Sequence, residues 1–494
     1  MSENRILSLE SLRVLEQRAQ AAGYNLMQRA AMATADWVSH HLPPGSRLLV
    51  CAGPGNNGGD ALYAAQELLQ RRFAVDILVP TQPTSPATAA ALQQLESDGC
   101  VALFDLPRDY AAPALVIDGL FGVGLNREID SEWASLIERI NLLHCPILAL
   151  DCPSGVDAYS GSAGETAICA SHTLTFLCHK PGLFCGRGAD LSGKVELAAL
   201  DCPPALVPPA EGELSEPDVG PLARPLDSHK GSFGTVSVIG GAPGMLGAAL
   251  LAGRSALANG AGKVYVCPLD DRLPVDPVAP ELMIRALDAI TQLPPADVVA
   301  LGPGLGQQEL AARLVEELAA QAQPLVLDAD ALNLLAVSPA AKAALARREH
   351  PAILTPHPAE AARLLGIGVA EVQRNRLLHA RRLAVQYHSV VVLKGAGSLT
   401  VRPDGYYRLN TTGGPELASA GQGDVLTGLI AALLAQGLDA FDASSLAVYL
   451  HGMAGDEYQL ETGGPIGLAA SDTAWRSSLV LNRLLREQQL RPAD

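Results

Sequence analysis

The feature that most constrains this chain is a local pattern that recurs along it: a short apolar run ends in a cluster of Gly, Asp or His, and an Ala- and Leu-rich segment follows. A short run that is apolar at every position suits a strand buried on both faces, and such strands alternating with helices build a mostly parallel, doubly wound sheet. In open sheets of this kind, ligands bind at the carboxyl ends of the strands. The polar clusters are therefore candidate site elements rather than ordinary turns.

The pattern runs twice. The first forty residues read as Ala- and Leu-rich helix, and strands are predicted at 47–51, 75–79, 115–117, 146–150 and 173–177, with a helix from Ala61. Pro203-Pro204, Pro208-Pro209 and Pro217, mixed with Glu211, Glu213, Glu216 and Asp218, then interrupt the alternation. Such a stretch marks a domain boundary. The alternation restarts with a strand at 235–239 and a helix at 247–258, followed by strands at 264–267, 298–301, 325–327, 352–354 and 390–393 and a helix at 425–434. At 494 residues the chain exceeds what one core holds. Two α/β domains are expected, residues 1–212 and 222–494.

Hydrophobic residues make up 48% of the chain and aromatics only 4%, so the cores are built from Ala, Leu and Val. The formal net charge of -17 repels nucleic-acid phosphates and anionic lipid surfaces, which excludes both as partners. A phosphate-bearing ligand must then be held by backbone N–H groups and helix N-termini. The nine cysteines are odd in number and form no CxxC pair, so they read as reduced core thiols rather than a disulfide framework. Met1-Ser2-Glu3-Asn4-Arg5 lacks the basic-then-apolar order of a secretory signal, and no apolar run approaches membrane-spanning length. A cytoplasmic location and a homo-oligomer are expected.

Gly53-Pro54-Gly55-Asn56-Asn57-Gly58-Gly59-Asp60 follows the first strand. Its glycines alone fit a tight strand-to-helix turn as well as a dinucleotide site, but two carboxamides and a carboxylate in succession suit a polar ligand or a cation. Asp118 follows the apolar run 115–117 and is followed by the glycine-rich 119–124, whose amides are open to phosphate, and Asp151-Cys152-Pro153-Ser154-Gly155 follows the run 146–150. Any one of these carboxylates alone would serve as a helix cap; three at strand ends can converge on one site.

The second half carries Gly240-Gly241-Ala242-Pro243-Gly244, Gly302-Pro303-Gly304-Leu305-Gly306, Asp328-Ala329-Asp330, Thr355-Pro356-His357-Pro358-Ala359-Glu360 and Lys394-Gly395-Ala396-Gly397-Ser398, each after a strand. Ala420-Gly421-Gln422-Gly423-Asp424 opens a helix. Amides there can stabilise a transferring phosphoryl group while Asp424 takes the proton of an attacking hydroxyl. A helix-start carboxylate favoured by the macrodipole is the alternative. No Walker-type GxxxxGK[ST] is present.

Asn56 to Asp60, Asp118 to Arg127 and Asp151 to Gly155 together resemble the NAD(P)HX epimerase family. The resemblance implies a Rossmann-like sheet. It further implies that Asn56, Asn57, Gly58, Gly59, Asp60, Gly122, Val123, Gly124, Leu125, Asn126, Arg127 and Glu128 contact the hydrated nicotinamide nucleotide, with Asp151 at the reacting ring. A potassium ion on Asn57, Asp118 and Ser154 is implied as well, and these hard oxygen donors suit an alkali cation. Ala61 departs from the glycine that is common in the family. The second-half segments resemble the ADP-dependent NAD(P)HX dehydratase family, which implies a ribokinase-like α/β/α fold. Ala249, Gly304, His357 and Asp424 would contact the hydrated cofactor, and Lys394, Gly395, Ala396, Gly397, Ser398 and Gly423 the adenine nucleotide, with Asp424 as the base. Ala359 and Pro415-Glu416 depart from that family's pattern. The implied activity epimerises the R and S forms of NADHX and NADPHX and dehydrates the S form to NAD(P)H, converting ADP, with Mg2+, to AMP and phosphate.

Two other readings compete. An oxidoreductase using Gly53, Gly55 and Gly58 as its fingerprint needs an acidic residue at the end of the second strand, whereas Asp76 lies inside its run and Pro80 ends it. A ribokinase-type kinase of a small metabolite fused to a nucleotide-binding module is permitted by the segment 421–424.

Overall fold

The computed structural model describes residues 4–124, 129–289 and 292–489. The chain divides into two compact units, Met1–Glu213 and Leu214–Asp494. In the first, the apolar run Arg47–Ala52 is a strand buried at every position after Arg47, and it lies inside a seven-stranded sheet. Across that sheet the order is Ala102–Leu103, Ala74–Leu78, Arg47–Ala52, Leu115–Gly119, Ile147–Leu150, His172–Phe176 and Lys194–Ala198, all parallel. From Arg47–Ala52 the chain runs outward to one edge and then returns to the other side through Leu115–Gly119. The loops leaving these two neighbours therefore head to opposite faces, which opens a crevice at their carboxyl ends.

The helix expected from Ala61 starts earlier, spanning Asn56–Gln70. The cause is close packing: a Cβ on Gly53 would lie 1.7 Å from the Leu120 carbonyl oxygen, and one on Gly58 would lie 1.9 Å from the Gly53 oxygen. Only glycines let the loop lie this flat, so the chain enters the helix at once and both asparagines occupy its first turn. The expected N-terminal helix is two helices, Leu9–Ala21 and Leu26–His41, whose first turns are capped by the Ser8 and Asn25 side chains.

In the second unit, Thr235–Gly240 is again flanked by strands that lead the chain in both directions. The order runs Tyr407–Leu409, Leu399–Val401, Val390–Leu393, Ile353–Leu354, Leu325–Leu327, Val298–Leu301, Thr235–Gly240, Lys263–Pro268 and Met283–Ile284. Pairing is parallel from Val390–Leu393 to Met283–Ile284, whereas Leu399–Val401 runs antiparallel to both of its neighbours, Val390–Leu393 and Tyr407–Leu409. Val298–Leu301 and Val390–Leu393 are buried at every position, so helices must cover both faces of the sheet. One layer joins the inner faces of Leu246–Ala258, Gln422–Ala435 and Ala440–Thr462 to Val236, Val238, Ala300 and Val326 in a single buried cluster.

The helix expected at 425–434 begins at Gln422, which puts Gly423 and Asp424 in its first turn. The proline-rich stretch is not a bare linker, since Gly212 and Glu213 pair antiparallel with Ile6 and Arg5. All nine cysteines are free and five are buried, but Cys169 is exposed on the loop leading into His172–Phe176, which corrects the core-thiol reading for that residue. Among the described residues no helix is long and apolar enough to cross a membrane.

Candidate active sites at the strand ends

A cavity of about 450 Å³ opens at the crevice of the first unit. Asn56, Asn57 and Asp60 line it from the first turns of one helix, Phe121, Gly122, Val123 and Gly124 from the loop after Leu115–Gly119, and Asp151 from the end of Ile147–Leu150. The helix cap Gly55 offers no side-chain acceptor, so amides of that first turn stay open toward the cavity. Leu9, Leu12, Arg13 and Glu16 of the helix Leu9–Ala21 form a further wall. Leu125, Asn126, Arg127 and Glu128 of the expected set lie outside the described residues.

Asp118, Ser154 and Asn57 are drawn together beside this cavity. The fully buried Asp118 carboxylate accepts the Leu120 N–H at 3.1 Å, the Ser154 N–H at 2.8 Å and the Ser154 hydroxyl at 2.7 Å. The Asn57 amide donates to the Phe121 carbonyl at 3.0 Å, leaving its own carbonyl oxygen for another partner. Burial pushes Asp118 up to about 6 despite the three hydrogen bonds that pull it down. Among the described residues no Lys or Arg pairs with it.

Asp151 has a left-handed backbone, with φ of 64°. Its carboxylate takes the Phe176 N–H at 3.0 Å and an ion pair from Lys180. Lys180 is fully buried and also donates to the Thr175 hydroxyl at 2.9 Å and the Phe176 carbonyl at 2.7 Å. Burial alone would lower the ammonium's pKa, but Asp151 and its hydrogen bond hold it above the ordinary lysine value. Burial raises Asp60 well above the carboxylate range, with Asp151 and Glu16 adding to it, and Glu16 is raised by burial and by Asp151. The pocket thus sets the Asp151–Lys180 ion pair beside two carboxyls that burial makes readier to hold a proton. Sequence reasoning missed Lys180 and Glu16. A lone lysine inside the apolar stretch 176–183, just past a strand, was a legible signal for the first; nothing distinguishes Glu16 from the other polar residues of its helix.

In the second unit, the strand ends bring Asp328, Lys394 and the start of Gln422–Ala435 together. Lys394 donates to Asp328 at 2.7 Å, and the Thr427 hydroxyl donates to the other Asp328 oxygen at 2.7 Å. Gly421, with φ of 90°, caps the helix without a side-chain acceptor, which leaves the first-turn amides of Gln422, Gly423 and Asp424 free. Burial pushes Asp424 up to about 6, with Asp328 adding to the rise and Lys394 opposing it. His357 caps Pro358–Leu365, accepting the Ala359 N–H at 3.1 Å while Glu360 accepts its backbone N–H at 2.8 Å. Gly304 has φ of 57°, and a Cβ there would lie 2.6 Å from the Met245 carbonyl oxygen. Ala249 is fully buried in Leu246–Ala258, and a Cβ on Gly241 would touch its methyl at 3.1 Å. The loop 394–398 is closed by Gly395 and Ser398, whose hydroxyl donates to the Gly395 carbonyl at 2.9 Å. Arg376, 2% exposed and missed from sequence, donates to the Leu393 and Lys394 carbonyls at 3.2 Å and so props this loop from behind.

Known proteins share this arrangement of sequence. A family model described as NAD(P)H-hydrate dehydratase matches residues 236–473, and one described as YjeF-related protein N-terminus matches residues 23–182. The bifunctional NAD(P)H-hydrate repair enzyme of Coxiella burnetii is 37% identical, over 93% of this chain and 96% of its own. Its counterpart from Escherichia coli is 35% identical, over 91% and 88%. Among solved structures, an ADP/ATP-dependent NAD(P)H-hydrate dehydratase from Bacillus subtilis, co-crystallised with ATP/Mg2+, is 35% identical and covers 53% of this chain and 93% of its own, with a TM-score of 0.47.

Removing a buried ammonium tests the geometry of the first site. Lys180→Met strands the Asp151 carboxylate and two further acceptors, and should cost about 3 kcal/mol of stability. Denaturant unfolding measures this directly; a loss well under about 1 kcal/mol would remove the pair from its structural role.

Proposed function

Because this chain belongs to the family of bifunctional NAD(P)H-hydrate repair enzymes, we propose that its first unit epimerises the hydrated forms of NADH and NADPH and its second dehydrates the S form using ADP. The observation that supports this reading is the gathering of Asn57, Asp60, the loop 121–124 and Asp151 around one strand-end cavity in the first unit, and of Asp328, Lys394 and the start of Gln422–Ala435 at the strand ends of the second.

In the first unit the nucleotide lies across the first-turn amides of Asn56–Gln70 and the loop that follows Leu115–Gly119, with the hydrated ring against Asp151. Its epimers differ at the carbon bearing the hydroxyl next to the ring nitrogen. Loss of that hydroxyl gives an iminium, and water adding back to the other face gives the other epimer. Asp151, paired with Lys180, stabilises the cation and takes the proton of the incoming water, while Asp60 and Glu16, whose carboxyls burial raises above their ordinary values, can supply a proton to the departing hydroxyl. A potassium ion fits the oxygens of Asn57, Asp118 and Ser154: Asp118 is a buried carboxylate with no cationic partner among the described residues, and a monovalent cation would supply the missing charge.

In the second unit hydroxide is a poor leaving group and must be activated. Asp424 takes the proton of the ring hydroxyl as its oxygen attacks the β-phosphorus of ADP, and AMP departs. The ring nitrogen then expels phosphate, and loss of the neighbouring carbon's proton restores the reduced nicotinamide. The free first-turn amides and Lys394 suit the transferring phosphoryl group, and Mg2+ bound with the nucleotide would supply further positive charge to it. The ordered loop 394–398 holds the adenine nucleotide, and Ala249, Gly304 and His357 border the hydrated cofactor.

A crossed pair of variants tests the division of labour. Asp424→Asn should abolish nucleotide-dependent regain of reduced-nicotinamide absorbance and leave epimer exchange intact, whereas Asp151→Asn should do the reverse, repairing quickly only the S portion of a mixture. Unchanged exchange in Asp151→Asn, followed by chromatography, or near-normal dehydration in Asp424→Asn would overturn the corresponding assignment.

The cation proposal makes a pH-dependent prediction. A folded-state value near 6 against an ordinary 3.8 means the folded chain holds a proton that the unfolded chain has released, so Asp118 weakens stability as pH rises through that window. Potassium binds the ionised form and offsets the loss. Replacing tetramethylammonium by potassium at equal ionic strength should therefore raise the melting temperature above about pH 6 and have little effect near pH 4. Equal shifts at both pH values would contradict a site at Asp118.

A further inference from the structure

The ion pair Asp328–Lys394 is built against the first turn of the helix that carries Asp424. Asp328 comes from the end of Leu325–Leu327 and Lys394 from the end of Val390–Leu393; their side chains are 2% and 19% exposed. Thr427, one turn beyond Asp424 on the same helix, fixes the second Asp328 oxygen at 2.7 Å. A Cβ on Gly423 would lie 3.3 Å from the Lys394 ammonium and 3.7 Å from Asp328. The residue next to the proposed base thus packs on both charges at once.

Resting on the reading that Asp424 is the dehydratase base, we propose that Asp328 and Lys394 form a matched positioning pair whose two opposite charges act on Asp424 in opposite senses. Asp328 makes the Asp424 carboxylate a stronger base, and Lys394 keeps that effect from leaving it protonated at working pH. The Asp328 charge also anchors the ammonium where phosphate charge develops. Burial holds Asp424 at about 6, with Asp328 raising and Lys394 lowering it, in keeping with this division.

Among the described residues, Arg376, Glu360 and His451 are the other charged or titratable groups placed around the pair, and Arg376 donates to the Lys394 carbonyl at 3.2 Å from behind the loop. Glu360, on Pro358–Leu365, faces Lys394 and interacts with His357 at 3.2 Å. His451, on Ala440–Thr462, bonds Gln422 at 3.2 Å; burial holds it down to about 4, with Lys394 adding to the fall, so it is neutral near pH 7. None of these residues is altered in the variants below.

The test reads the acidic limb of the pH dependence of kcat for ADP-dependent dehydration, because Asp424 must be ionised to accept a proton. Asp328→Asn should move the limb down by about one pH unit and Lys394→Met should move it up by about one unit, while Lys394→Arg leaves it near the wild-type position. A merely structural pair would lower activity or stability without moving the limb in opposite directions. Limbs that stay fixed, or that move the same way, overturn the proposal. A second readout needs no turnover: the proton titration of ligand-free protein, wild type minus Asp424→Asn, should show one group ionising near pH 6. The same difference on the Asp328→Asn background should fall lower. Should one charge-removing variant fail to fold, the other alone still decides, since a limb that stays at the wild-type position or moves the wrong way overturns the proposal. Failure of the base assignment itself is seen separately, as dehydration that survives Asp424→Asn.

Discussion

Each unit places an ammonium at the floor of its site, fully buried at Lys180 and largely buried at Lys394, and the positions of the proposed reactive groups depend on it. An ammonium removed from water costs several kcal/mol unless a carboxylate and further acceptors surround it. Lys180 meets this demand with Asp151, Thr175 and the Phe176 carbonyl; Lys394 meets it mainly with Asp328, which Thr427 fixes in turn. Moving either lysine, or the strand end that carries its partner, would leave a charge without compensation. That penalty fixes the floors of the two sites while the helix amides above them stay free for ligand.

The parallel sheets make this placement possible. In each, the strand nearest the reversal of chain direction feeds a glycine loop, and the loop packs against the neighbouring strand's end closely enough to exclude any side chain. A Cβ on Gly53 would lie 1.7 Å from the Leu120 carbonyl oxygen, and one on Gly302 would lie 1.8 Å from the Asp328 backbone carbonyl oxygen. These contacts also explain how a chain of net charge -17 can receive phosphate-bearing ligands. On the proposed reading the attraction is local, supplied by the uncapped helix starts at Gly55 and Gly421 and by Lys394 rather than by the overall field.

Much of this was legible in the sequence for a plain reason: strands buried on both faces write themselves as continuous apolar runs, so the central strands and the polar clusters at their ends stood out. Asp118, Ser154 and Asn57, far apart along the chain, do converge beside one cavity. Edge elements were harder to read. Lys194–Ala198 is only half-buried along most of its length, and Leu399–Val401 with Tyr407–Leu409 forms a hairpin of three-residue strands. Helix starts were placed late, at Ala61 and Val425, because glycine and asparagine argue against helix when neighbouring backbone is out of view. Lys180, Glu16 and Arg376 were missed because their importance comes from burial and partners contributed by other segments.

The central claim is that each site is complete within its own unit: Asn57, Asp118, Asp151, Ser154 and Lys180 all precede Leu214, and Asp328, His357, Lys394, Asp424 and Thr427 all follow it. Cutting the chain between Pro208 and Pro221 and assaying each folded piece alone tests that claim most directly. The account predicts potassium-sensitive epimer exchange from the first piece and ADP-dependent regain of reduced-nicotinamide absorbance from the second, each without the other present. Two folded pieces that show neither activity until they are recombined would contradict it.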